Sequence, residues 1–117
     1  MARTALKEYK NLSMAANTKT EPFLIENTFG FAIHVTWTGT PSSKIYVQGS
    51  CMSQKPTEDP GQWITLNDAV DTSDAKHLTD KYHLFNSSGA GYRWIRVVSE
   101  FTSGTGSLNV IISVKGV

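Results

Sequence analysis

Residues 28–38 read T-F-G-F-A-I-H-V-T-W-T. Phe29, Phe31, Ile33, Val35 and Trp37 fall on every second position, with Gly30, Ala32, His34 and Thr36 between them. A period of two sends alternate side chains to opposite sides of an extended chain, so this stretch predicts a strand with one buried apolar face. Upstream, residues 23–26 form a short apolar run behind Pro22, a residue suited to strand starts and edges. Downstream, Thr38-Gly39-Thr40-Pro41-Ser42-Ser43 is a turn cluster. Residues 44–50 then alternate again, Ile45 and Val47 against Tyr46 and Gln48.

Pro56, Pro60 and Gly61 mark 51–61 as a loop, and 62–66 as a short strand carrying Trp63. Residues 67–76 are polar and acidic, with Asp68, Asp71 and Asp74, and fit a loop or a single helical turn. Alternation over 77–85 predicts a further strand that includes His77 and Leu78. Two β-rich runs, 92–101 and 107–114, flank Thr102-Ser103-Gly104-Thr105-Gly106 and read as a hairpin. Turn signals recurring about every 8–12 residues give an all-β domain: a single antiparallel two-sheet β-sandwich, jelly-roll-like, with a small closed barrel as the alternative. Residues 1–20 have no strand pattern, and Leu6, Tyr9 and Leu12 recur at three-residue spacing. They are expected to form an extended N-terminal arm, with the sandwich over 21–117. In this reading Leu6, Tyr9, Leu12 and Met14 dock the arm on a neighbouring subunit, and its removal leaves the sandwich folded.

Composition narrows the function. The 117 residues support one domain, and twelve Ser with thirteen Thr among only 18% charged residues suit strands. Eleven basic and ten acidic residues leave a formal net charge of +1 with no Lys/Arg cluster, which argues against a nucleic-acid partner. No run approaches the roughly 18 apolar residues of a membrane helix, so no membrane insertion is expected. The N-terminus reaches Arg3, Lys7 and Glu8 before any apolar core of a signal peptide forms, so synthesis in a cytoplasm is expected. The lone Cys51 cannot cross-link the chain internally.

Chemistry-bearing patterns are sparse. Cys51 with His34, His77 or His83 forms no nucleophile–base motif. On a strand, His77 and His83 stand on the order of 20 Å apart and do not share a metal. The acidic stretch 68–74 lacks the regular spacing of a calcium loop, and Gly89-Ala90-Gly91 and Gly104-Thr105-Gly106 precede strands rather than the helix of a phosphate loop. No catalytic residue, metal or cofactor is expected. Trp37 belongs to the core; Trp63 and Tyr46 are the candidates for contact with a sugar, against the competing reading that tryptophans fill the core.

The segments VTWTGTP (35–41), QWITL (62–66), GAGYRWIRVV (89–98) and TSGTGSLNV (102–110) resemble those of small β-sandwich structural proteins of bacteriophages, over about 23–116, most of the chain. A looser similarity links the late Tyr-x-Arg-like strand to discoidin-type modules. The phage resemblance implies a non-enzymatic virion component: a capsid decoration, cement or minor shell protein. Its partners would be other virion proteins and copies of itself in a homo-oligomer. Tyr92, Arg93, Trp94 and Arg96 would then form a structural strand, the arginines seeking Glu100, Asp80 or Glu26. The alternative is a fibre or spike module that binds a host surface glycan through Trp63 and Tyr46.

Overall fold

A computed structural model describes residues 3–25, 28–88 and 92–116. Among these residues ten strands run β1 (Arg3–Ser13), β2 (Thr18–Lys19), β3 (Phe23–Leu24), β4 (Thr28–Gly39), β5 (Ser42–Ser50), β6 (Ile64–Thr65), β7 (Val70–Asp71), β8 (Tyr82–Ser88), β9 (Trp94–Ser103) and β10 (Gly106–Gly116). One five-residue helix, α1 (Ala75–Thr79), lies between β7 and β8. The four-stranded sheet has the order β1-β10-β4-β8; the second is β2-β9-β5-β6, with β3 also on β9 and β7 on β5. Every pairing is antiparallel. The chain is a two-sheet β-sandwich, as the alternation predicts.

The period-two stretch forms the middle of the first sheet. Phe31, Ile33, Val35 and Trp37 are buried, and opposite them on β10 so are Val114, Ile112, Val110 and Leu108. Ile45 and Val47 of β5, with Ile95 and Val97 of β9, meet them from the second sheet. The Phe29 side chain, Glu26 and residues 89–91 lie outside the described residues.

Three expectations are corrected. First, residues 3–20 are not an arm separate from the sandwich. Strand β1 pairs along its length with the chain's own β10, β2 pairs with β9, and Met14 is fully buried in the core. The three-residue spacing of Tyr9 and Leu12 comes from a bulge. Asn11 takes φ 57°, its N–H donates to Asn109 Oδ1 at 3.0 Å, and the register shifts between Tyr9 and Leu12. One inserted residue lets both side chains pack against the core, while Leu6 faces outward.

Second, β9 and β10 are not a hairpin, because they belong to different sheets. β4 pairs with β10 up to Gly39–Gly106, and β5 pairs with β9 from Ser42–Ser103. The two strand pairs are therefore one antiparallel ribbon folded over from sheet to sheet, and the two glycine-containing turns lie side by side at its corner. The Thr40 N–H donates to the Thr105 carbonyl at 3.1 Å. Gly39 and Gly104 both take φ above +80°, and a Cβ on either would strike the carbonyl oxygen of the opposite turn, Thr105 or Thr40. Only glycine meets both demands.

Third, strand β8 begins at Tyr82. Residues 75–79 form the single helical turn instead, with Asp74 as its cap accepting from the His77 N–H. The turn folds His77 back to a ring-centroid distance of 5.8 Å from His83. The two rings are thus far closer than an extended chain allows.

Candidate functional site

The register of β5 on β9 decides which side chains share the outer face of the second sheet. Opposed pairs are Ser50 with Trp94, Gln48 with Arg96, Tyr46 with Val98 and Lys44 with Glu100. Arg96 should stand in solvent there, yet it is only 4% exposed. The loop between β5 and β6 folds over it as a lid. That loop is held by its own bonds: Trp63 Nε1 donates to the Thr57 carbonyl at 2.7 Å, Thr57 N–H to Gln62 Oε1 at 2.8 Å, and Gly61 N–H to Asp59 Oδ1 at 2.9 Å.

A buried guanidinium is costly unless its charge and its N–H groups are matched. Arg96 Nε donates to Gln48 Oε1 at 2.9 Å, and one terminal nitrogen donates to Glu58 at 3.1 and 3.3 Å. The guanidinium carbon lies 4.0 Å from the Trp63 ring centroid, so the ring covers one face of the cation. Glu58 also accepts from Lys19 Nζ of β2. That bond first, then the charges of Arg96 and Lys19, hold its carboxyl below the ordinary 4.5 against the opposing effect of burial. The lid's ionic link is therefore complete above the ordinary carboxylate value and is lost as pH falls through the lowered one.

Beside the lid lies a groove of about 290 Å³ that Lys19, Tyr46, Gln48, Glu58, Arg96 and Glu100 help to line. Tyr46 Oη donates to Glu100 Oε1 at 2.6 Å. Burial first, then that bond and the charge of Glu100, push the phenol up to about 12, so Tyr46 remains a donor across the neutral range. The result is a fixed set of donors and acceptors, suited to hydroxyl-bearing ligands. A double-mutant cycle of Glu58→Ala and Arg96→Met in urea is expected to give a coupling of ~1 kcal/mol. That is below the ~3–5 kcal/mol for breaking a fully buried pair, because the Glu58 side chain is 70% exposed.

The structure brings Tyr46, Trp63 and Arg96 together, but not as a stacking platform. Trp63 belongs to the lid and is buried with Arg96 against its ring, so it does not offer an open face to a sugar. Tyr92 leans over β5, where a Cβ on Gly49 would come within 2.9 Å of its ring. Trp94 Nε1 donates to the Met52 carbonyl at 3.0 Å, and the Arg93 N–H to the Ser50 carbonyl at 2.9 Å. Among the described residues Arg96 is held by Glu58 and Gln48 rather than by Glu100 or Asp80, Glu100 holding Tyr46 instead; Glu26 lies outside the described residues. Glu58, Gln48 and Lys19 were not legible as a set, since nothing local links positions that far apart in the chain.

A second surface lies on the outer face of the four-stranded sheet. One row across it reads Glu8, Ile111, His34, Leu84. Tyr82 meets the His34 ring edge-on at 6.4 Å. Leu6 is 61% and Leu84 55% exposed, with Tyr82 and Ile111 also open to solvent. Leu6, Tyr9, Leu12 and Met14 therefore divide: Leu6 belongs to this face, the other three to the interior side.

No protein-family model matches the sequence, and no curated protein matches it either. Its sandwich is shared with solved structures at low identity. The SPBc2 prophage-derived protein YomS superposes with a TM-score of 0.52 at 10% identity, over 95% of both chains. The K1 cleaved adhesin domain of Lys-gingipain from Porphyromonas gingivalis W83 gives 0.50 at 13% identity, covering 86% of this chain but 63% of the adhesin domain. The capsid structure of Helicobacter pylori bacteriophage KHP30 gives 0.44 at 8% identity, over 94% of this chain and 93% of that one. A prophage-derived protein is thus among the structural neighbours of this β-sandwich, and the likeness is one of fold.

Proposed function

We propose that the chain is a non-enzymatic structural protein of a bacteriophage virion, serving as a capsid decoration, cement or minor shell protein. The observation that carries the reading is the outer face of the four-stranded sheet. A solvated antiparallel face normally alternates to polar side chains. Here Ile111 and Leu84 stand on either side of His34, with Leu6 and Tyr82 nearby, and the flanking edge strands β1 and β8 are open to further contacts. An apolar patch of this kind on a small domain serves protein contact. The partners are other virion proteins and further copies of the chain.

Immunogold labelling of purified particles tests the proposal. Label spread evenly over the shell is expected, and it is expected to disappear for Leu84→Lys/Ile111→Lys while far-ultraviolet circular dichroism stays unchanged. Particles that carry the variant at full occupancy would remove the basis of the reading. The groove around Tyr46 favours a second reading, a fibre or spike module that contacts a host glycan. Label confined to a tail tip, with glycan binding lost in Tyr46→Ala, would support it.

A further inference from the structure

The edges of the two sheets differ in how they are protected. In the second sheet the outermost strands β2, β3, β6 and β7 are each two residues long. In the first, β1 carries Arg3, Lys7, Glu8 and Lys10 and the bulge at Asn11. Shortness, charge and bulges all deter indiscriminate pairing at an edge. Strand β8 has none of them: residues 82–88 hold no Asp, Glu, Lys, Arg or Pro, and its register on β4 is unbroken. The Trp37 N–H donates to the Lys81 carbonyl at 3.1 Å. By the alternation of an antiparallel ladder, Tyr82, Leu84 and Asn86 then aim their backbone N–H and C=O groups away from β4. Among the described residues no hydrogen bond meets those groups.

Charge and strand direction select what adds to this edge. On its inner side lies an open cleft of about 500 Å³, bordered by His83 and Phe85 of β8 and by Asp68 and Asp71. The matching strand is at the opposite edge of the same sheet. Lys7 pairs with the fully buried Ile112, so it stands on the core side of β1. It is exposed there, with Nζ 5.3 Å from the Tyr9 ring centroid, and among the described residues no carboxylate pairs with it. Each step across β1-β10-β4-β8 reverses the chain, so β1 of a second copy in the same orientation meets β8 antiparallel. The register that sets Leu6 beside Leu84 on the outer face sets Lys7 beside His83 on the inner one, towards Asp68 and Asp71. Leu6 and Leu84 are both more than half exposed in the single chain. Two-fold pairings lack this match. β8 on β8 brings two acidic cleft walls together, and β1 on β1 opposes strands that each hold three basic residues and one acidic.

We propose that the chain assembles head to tail, the β1 edge of one copy adding to the β8 edge of the next so that their four-stranded sheets join. A contact of this kind is heterologous and repeats into a ring or a filament. The proposal rests on the reading of this sheet as a contact surface and names the partner as a second copy of the chain.

Sedimentation velocity of the purified chain over a concentration series tests it, with circular dichroism as the check on folding. Association beyond a dimer is expected, weakening as salt is raised. Lys7 and Asp68 are both exposed, and Lys7→Glu and Asp68→Lys are each expected to weaken association about tenfold with the fold intact. An equimolar mixture of the two variants is expected to restore it, because the reversed strand of one then meets the reversed cleft wall of the other. A chain that stays monomeric, association that stops at a dimer, indifference to Lys7→Glu, or a mixture no better than its parts would overturn the proposal. Each of those outcomes leaves the labelling of particles as the separate test of the virion role.

Discussion

Met14→Ala is expected to cost about 2–5 kcal/mol in urea unfolding, the range for emptying a fully buried large side chain. The residue sits at the joint where β1 leaves its sheet. Its backbone N–H donates to the Gly106 carbonyl at 2.9 Å, and its side chain closes one end of the core. Deleting residues 1–13 should act in the same direction and further. It removes the whole β1–β10 pairing and the packing of Tyr9 and Leu12, so the shortened chain is expected to lose its cooperative transition. A truncated chain with the midpoint of the intact one would show that the segment is an arm after all.

The second large effect is expected at the corner of the folded ribbon. Gly104→Ala places a methyl group against the Thr40 carbonyl at φ +84°, and Gly39→Ala places one 2.6 Å from the Thr105 oxygen at φ +82°. Neither clash relaxes by rotating a side chain, because both obstacles are backbone. A loss of roughly 2–4 kcal/mol is expected for each, from left-handed strain plus displacement of the facing turn. Gly61→Ala is the control. Its added Cβ would meet only Asp59 Oδ1 at 3.4 Å, and it should stay within about 0.5 kcal/mol of the parent. Thermal and urea unfolding of the three variants together check the ranking.

The parts of the fold that were legible are those in which a period of two survives. Residues 31–37, 45–48 and 108–114 alternate without interruption, and each proved to have the buried face that the alternation predicts. Strand β1 was illegible because it is an edge: Lys7, Glu8 and Lys10 are tolerated there, and the bulge at Asn11 changes the phase between Tyr9 and Leu12. The glycine-containing connection after β9 has the local chemistry of a hairpin. What redirects it is the matching turn at Gly39–Pro41, some sixty residues earlier, against which it packs. A helix of five residues is too short to show a stripe, so the approach of His77 to His83 had no periodic signal. Of the groove, Tyr46 and Arg96 were singled out as types, but the lid that buries Arg96 is a long-range event set by Glu58 and Trp63.

The place of β10 has a consequence for how the chain comes into being. It lies between β1 and β4, pairing Tyr9 with Val110 on one side and Val35 with Val110 on the other. During synthesis, both earlier strands therefore wait with their core faces uncovered until residues 106–116 have left the ribosome. Closure over such separations is slow, on the millisecond-to-second scale typical of β-sandwiches. Throughout that interval the stretch 28–38 is the most adhesive segment of the nascent chain, the natural target for a chaperone that holds unfolded polypeptide, and the first source of aggregates when expression outruns it.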